Sequence, residues 1–223
     1  FVTGRLSNKR LIKTIVMSNA YRRSSKFDKH NHEIDPDNIY FWRMNEKRLE
    51  AEQIRDSLLF VSGRLNESHK NVSDFQTDIK NAGKELRKYI SETTSRSIYI
   101  PSLRDNKIEI LDIFDRPDNS LLNAERSVTT VSTQALFLMN NPKIIALAKE
   151  QAQILLDRNK KMGKTMPKIL YRNNVNEIFK KFLGRPPSEV ELEASIDFIE
   201  ADNSNLAHLI QILICTGEFR NVK

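Results

Sequence analysis

The chain has 223 residues, 36 Lys or Arg against 29 Asp or Glu, and one cysteine. That length allows a core without covalent staples, a single cysteine allows no disulfide within the chain, and no apolar run approaches the roughly 18 residues of a membrane-spanning helix. The net charge of +7 raises nucleic acid or an anionic surface as partners, but acids and bases alternate in EKRLEAEQIRD, KELRKYISE and FDRPD, and the one basic run, DRNKKMGK at 157–164, falls between helical segments.

Six glycines and seven prolines are about half the usual share, and Leu, Ile, Lys, Glu, Gln and Arg are frequent, so helices are predicted. Residues 7–21 carry Leu11, Ile12, Ile15 and Val16 on one helical stripe behind Ser7 as a cap. The stretch 22–38 is polar and irregular. Its His30 and His32 form an HxH pair, which without a nearby Cys or HExxH reads as a solvated loop. Residues 39–65 read as a long amphipathic helix through Ala51, Ile54, Leu58, Val61 and Leu65, with Gly63 near its end. A helix from 72 to 92 is marked by Val72, Phe75, Ile79, Leu86 and Ile90 and weakened by Gly83. Ser97–Ile100 reads as an extended piece ending at Pro101, Leu111–Asp115 as a helical turn or short strand, and DRPDNS as a turn.

Clear helix signals follow. Ser132 is placed to cap a short helix to Asn140, with Ala135, Leu136 and Met139 on its buried side and Phe137 in the core. Pro142 opens the next helix, with Ile144, Leu147, Ala148, Ala152, Leu155 and Leu156 as its stripe. A third carries Ile169, Leu170, Val175, Ile178, Phe179 and Phe182 and ends at Gly184. Ser188 and Glu191 make a capping box for SEVELEASIDFIEA, and the last helix is apolar at Leu206, Leu209, Ile210, Leu213 and Ile214. Cys215 there reads as a buried small hydrophobe. The expected fold is mainly α: one irregular helical domain over 1–223, with N-terminal helices to 65, a polar region over 66–131, a C-terminal bundle from 132, long loops and at most one or two very short strands.

Four blocks carry a family resemblance: DPDNIYFWRMNEKRLEAEQIRDSLLFVSGRL, RSIYIPSLRDN with LDIFDRPD, RSVTTVSTQALFLMNNP, and FLGRPPSEVELEASIDFI, together with LICTGEF near the end. Over nearly the whole chain these resemble the planctomycete-type C-terminal domain of unknown function, found behind cytochrome-c-like domains in large exported proteins. The resemblance implies a helical module of a longer chain, in keeping with FVTGRLSNKRLI, which reads as the middle of something. It implies an exported, periplasmic or cell-surface location and neighbouring domains that bind haem. No CxxCH is present, so no cofactor is expected in this chain. The resemblance carries over no catalytic residues. Where such domains often have a Gly/Pro-rich segment after SGRL, this chain has the polar NESHKNVSDFQTDIKNAGKELRK.

One set of residues bears on chemistry. Arg48, Glu52, Arg55 and Asp56 recur on a second stripe of the long helix, and Asp115, Asp118, Arg126, Thr129 and Thr130 crowd the irregular blocks. They either pin those blocks onto the helix or form a ligand site. Three functions follow in order. The first is a binding or interaction module whose partners are other domains of the longer chain or a polysaccharide, with Tyr40, Phe41 and Trp42 as stacking aromatics if they are not core. The second is a hydrolase-like enzyme using the Arg/Asp/Glu set, though no nucleophile elbow, P-loop or zinc signature is present. Nucleic-acid binding is last.

Overall fold

A computed structural model of the chain describes residues 7–68, 82–103, 107–118, 126–161, 167–202 and 204–222. They form ten α-helices and one pair of two-residue strands, the mainly helical architecture expected. The chain divides into two compact units, Phe1–Arg48 with Asn221–Lys223, and Leu49–Arg220. No helix among the described residues is long and apolar enough to cross a membrane.

In the first unit, α1 spans Asn8–Val16, and Ser7 caps it by accepting the Arg10 N–H at 3.3 Å. The helix expected to residue 21 stops five residues early, at Val16. The irregular stretch contains a short helix, α2 (Lys29–Ile34), because the Asp28 carboxylate accepts the Asn31 N–H at 2.9 Å. β1 (Lys47–Arg48) pairs antiparallel with β2 (Asn221–Val222).

The long helix expected over 39–65 is less than half that length: α3 spans Ala51–Val61. The preceding residues have stronger local bonds. Asp35 accepts the N–H groups of Ile39 and Tyr40 at 2.9 and 2.8 Å, and the Asn38 side chain bonds Arg43 on both its N–H and C=O. Asn38 and Phe41 are left-handed, at φ +54° and +53°, which no α-helix accommodates. Arg48 therefore lies in a strand and not on the α3 stripe.

The second unit holds α3, α4 (Ala82–Glu92), α5 (Glu109–Ile113), α6 (Ser132–Asn140), α7 (Pro142–Lys161), α8 (Pro167–Leu183), α9 (Glu189–Ala201) and α10 (Asn205–Cys215). α10 packs against α6, α7, α8 and α9, and Leu206, Leu209, Ile210, Leu213 and Ile214 are all buried on it. The stripes expected on α7 and α8 face this core from Ile144 to Leu156 and from Val175 to Phe182, whereas Ile169 is exposed. α8 ends at Gly184, whose φ of +71° suits glycine, and Ser188 and Glu191 close a capping box on α9. Cys215 is half-buried, and that burial pushes its thiol pKa up.

Two expectations reverse. Ser97–Tyr99 is a 3-10 turn and not an extended piece, because Asp56 takes both the backbone N–H and the hydroxyl of Ser97. α6 turns the other way about its axis: Gln134 and Leu138 are fully buried, while Leu136 and Met139 are about half exposed. Ser132 is its first helical residue, Val131 holds the cap position, and no side chain caps it. The expected marks Val72, Phe75 and Ile79, the end of DRPDNS and residues 162–164 of the basic run lie outside the described residues.

Candidate functional site

The candidate residues of the second unit resolve into separate bonded sets. In the first, Arg126 meets the start of α3. Its Nη1 and Nη2 donate to Oε2 and Oε1 of Glu52 at 2.7 and 2.8 Å, and Nη1 also reaches Glu50 Oε2 at 3.0 Å. Glu52 stands in the first helical turn, where the helix dipole favours a carboxylate. The Arg126 guanidinium holds the Glu52 carboxyl below the usual range, and Glu52 in turn raises the pKa of Arg126.

The second set joins α3 to the chain after α4. Asp56 Oδ1 accepts the Ser97 N–H at 2.9 Å and its hydroxyl at 2.7 Å. Arg55 is buried, and burial pushes its pKa down. Its donors go to the carbonyls of Thr93 and Ser95, to Ser97 Oγ at 3.1 Å and to Asp56 at 3.4 Å. A buried guanidinium needs this full set of acceptors.

The third set follows α5. Asp115 stands in the left-handed region at φ +68°. Its carboxylate accepts the Thr129 N–H at 2.9 Å, the Thr129 hydroxyl at 2.7 Å and Gln134 Nε2 at 3.3 Å. Gln134 also donates to the Ile113 carbonyl at 3.0 Å, so one buried amide joins the end of α5 to the start of α6. Asp118 and Thr130 are exposed at the surface.

These sets lock irregular segments onto helices. Both oxygens of Glu52, Asp56 and Asp115 already accept hydrogen bonds from neighbouring protein groups. These bonds fix the orientation of each carboxylate toward the segment it anchors. A cleft of about 470 Å³ opens in the same unit, lined by Leu58, Ile90, Phe137, Ile144 and Leu147. Arg55 is the only one of the candidates that lines it, and its Nη1 and Nη2 are turned to the acceptors named above. Among the described residues no three His, Cys, Asp or Glu side chains gather as metal ligands. His32 packs instead on Phe27, ring centroids 5.1 Å apart.

Several bonding residues escaped the sequence reading. Ser97 and Gln134 carry no signal beyond their polarity. Arg185 had one, since it lies in the LGRPPSE block: it grips Glu191 and Glu218 through paired bonds of 2.7–2.8 Å. Those two carboxylates drive the Arg185 pKa up, and Arg185 holds Glu191 down at about 2.

The aromatic trio divides. The Trp42 indole N–H donates to the Asp35 carbonyl at 2.8 Å, and the Arg43 guanidinium lies 5.0 Å from its ring centre. Tyr40 and Phe41 are not core residues: they are 80% and 67% exposed.

No curated protein and no solved structure matches the chain. Residues 1–199 match the family described as PSD1, protein of unknown function (DUF1553), in line with the domain of unknown function that the sequence blocks imply. With that match covering all but the last residues, the chain belongs to the PSD1 (DUF1553) family.

Proposed function

We propose that the chain is an interaction module, contacting other protein through its N-terminal unit. One observation carries this reading. Among described residues 7–48 no apolar side chain is buried, while eleven large ones, from Leu11 to Phe41, are exposed. Clustered exposed apolar groups on a folded protein mark an interaction site, and here they gather as Leu11–Val16 on α1 and Ile39–Phe41 on one loop tip. The loop 35–45 adds to this. Asp35 and Asn38 are buried and bonded, and the tip they support holds Ile39, Tyr40 and Phe41 outward at 67–80% exposure. Left-handed Phe41 costs roughly 1–3 kcal/mol of backbone strain, an outlay expected where a side chain is aimed at something.

The family resemblance supplies the setting: a module of a longer exported or surface protein, beside domains that bind haem. Its partners on this reading are such neighbouring domains. If a polysaccharide is the ligand, Tyr40 and Phe41 are the stacking faces, because Trp42 is already covered by Arg43. No observation favours the hydrolase reading, since none of the candidate carboxylates lines the cleft of the second unit.

The test is selection of a phage-displayed random peptide library on the immobilised protein, with a glycan array in parallel. Enriched peptides that lose binding to the Tyr40→Ser/Phe41→Ser or Ile12→Asp/Ile15→Asp double variants support the reading. Absence of any enriched peptide contradicts it. Glycan binding abolished by Tyr40→Ser/Phe41→Ser would move the assignment to polysaccharide.

A further inference from the structure

We infer that the apolar stripe of α1 docks an acidic amphipathic helix of a protein partner. This rests on the interaction reading above and goes further, by fixing the chemistry of the partner. The first observation is where the charge sits. Residues 1–27 contain seven Lys or Arg and no Asp or Glu, whereas residues 28–223 contain 29 of each. The alternation of acids and bases seen in the middle of the chain does not extend to its start. The entire net charge belongs to one segment.

The second observation is the shape of α1. Leu11, Ile12, Ile15 and Val16 recur at i, i+1, i+4 and i+5, which places them on one face, and all are 36–59% exposed. Lys9, Arg10 and Lys13 lie on the flank and back of that stripe and have no ion-pair partner among the described residues. No residue of α1 is buried. Its nine residues fall short of the roughly 12–15 that an isolated helix needs in water, so its stability is expected to come from packing.

Three occupants compete for such a face. A second copy of the chain would bring two acid-less basic segments together, which like-charge repulsion opposes. An anionic lipid surface matches the charge. But the unit's other exposed apolar group, Ile39 to Phe41, is fixed by buried hydrogen bonds in one geometry, which suits a shaped protein face more than a fluid one. A helix with apolar residues at i, i+3, i+4 and i+7 and Glu or Asp beside them matches both the stripe and the cations. That is the occupant assigned here.

The test sequences the peptides enriched on the wild-type chain and measures their affinity for Ile12→Asp/Ile15→Asp and Lys9→Glu/Lys13→Glu. All four positions are exposed, and unchanged thermal melting of both variants confirms that the fold is kept. The expected peptides are amphipathic and acidic. Their affinity falls roughly tenfold or more on either double variant, and falls again as salt is raised from about 0.05 to 0.5 M. Peptides without acidic excess, or with affinity unchanged by both α1 variants but lost with Tyr40→Ser/Phe41→Ser, overturn this inference and leave the interaction reading standing. Absence of any enriched peptide overturns both. Sedimentation of the chain with phosphatidylglycerol–phosphatidylcholine vesicles, abolished by Ile12→Asp/Ile15→Asp and not competed by acidic peptides, overturns it in favour of a lipid surface.

Discussion

Arg126 holds Glu52 through two parallel hydrogen bonds, Nη1 to Oε2 at 2.7 Å and Nη2 to Oε1 at 2.8 Å, across 74 residues of sequence. The fork geometry is specific, but the pair is partly open to water, with the two side chains 37% and 26% exposed. Exposure decides the magnitude. A buried pair broken on one side costs about 3–5 kcal/mol, whereas exposed pairs contribute about 0–1 kcal/mol. Arg126→Ala should therefore destabilise by about 1 kcal/mol, read as a lower urea midpoint. Arg126→Lys should recover little, because an ammonium cannot make both bonds. A loss above about 3 kcal/mol would show that the pair is effectively buried.

The core of α6 sits under Leu138 and not under Leu136. Leu138 is fully buried and Leu136 is 53% exposed. Leu138→Ala should cost about 2–5 kcal/mol, and Leu136→Ala less than about 0.5 kcal/mol, in denaturant titrations. Equal losses would mean that the helix is rotated from the orientation described.

Gln134 bridges the Ile113 carbonyl and Asp115 from a fully buried position. Gln134→Leu keeps the apolar volume and removes the amide, leaving a buried carbonyl with one bond fewer. The expected loss is about 1–3 kcal/mol. A variant as stable as the wild type would show that the amide is dispensable to the α5–α6 joint.

Acid should unpick the Arg185 clamp. Glu191 has its carboxyl held at about 2 against an ordinary 4.5, first by the hydrogen bonds from Arg185. A carboxylate whose folded pKa is depressed contributes stability that is fully present above the unfolded value and is lost as pH falls through the folded one. The window thus runs from about pH 4.5 down to about 2. Glu52, shifted in the same direction by Arg126, adds to the same acid loss. Melting temperatures recorded from pH 6 to 2 should fall less steeply for Glu191→Gln than for the wild type. Parallel curves would contradict the clamp.

How much of this was legible in the sequence varied with the range of the forces involved. Helices α7 to α10 were readable because their apolar residues recur at helical spacing and their ends carry local signals: Pro142, Gly184 and the Ser188–Glu191 box. The shortening of α3 was not, because it depends on Asp35 and Asn38 bonding backbone groups up to five residues ahead. The face of α6 is not legible from hydrophobicity, because a buried glutamine lies on it beside Leu138. Gln134 is buried by a bond to Ile113, 21 residues earlier, and no periodicity records that partner. The candidate site was legible as a list of polar residues. Its division into separate sets was not, since which carboxylate meets which donor is decided by tertiary packing.

The claim that the N-terminal unit is a contact surface is tested most directly by hydrogen exchange, comparing the chain alone with the chain saturated by a selected acidic peptide. Slowed exchange is expected at the amides of Leu11–Val16, with α10 unchanged. Protection confined to the cleft lined by Leu58, Ile90 and Phe137, or no protection on α1 at all, would contradict it.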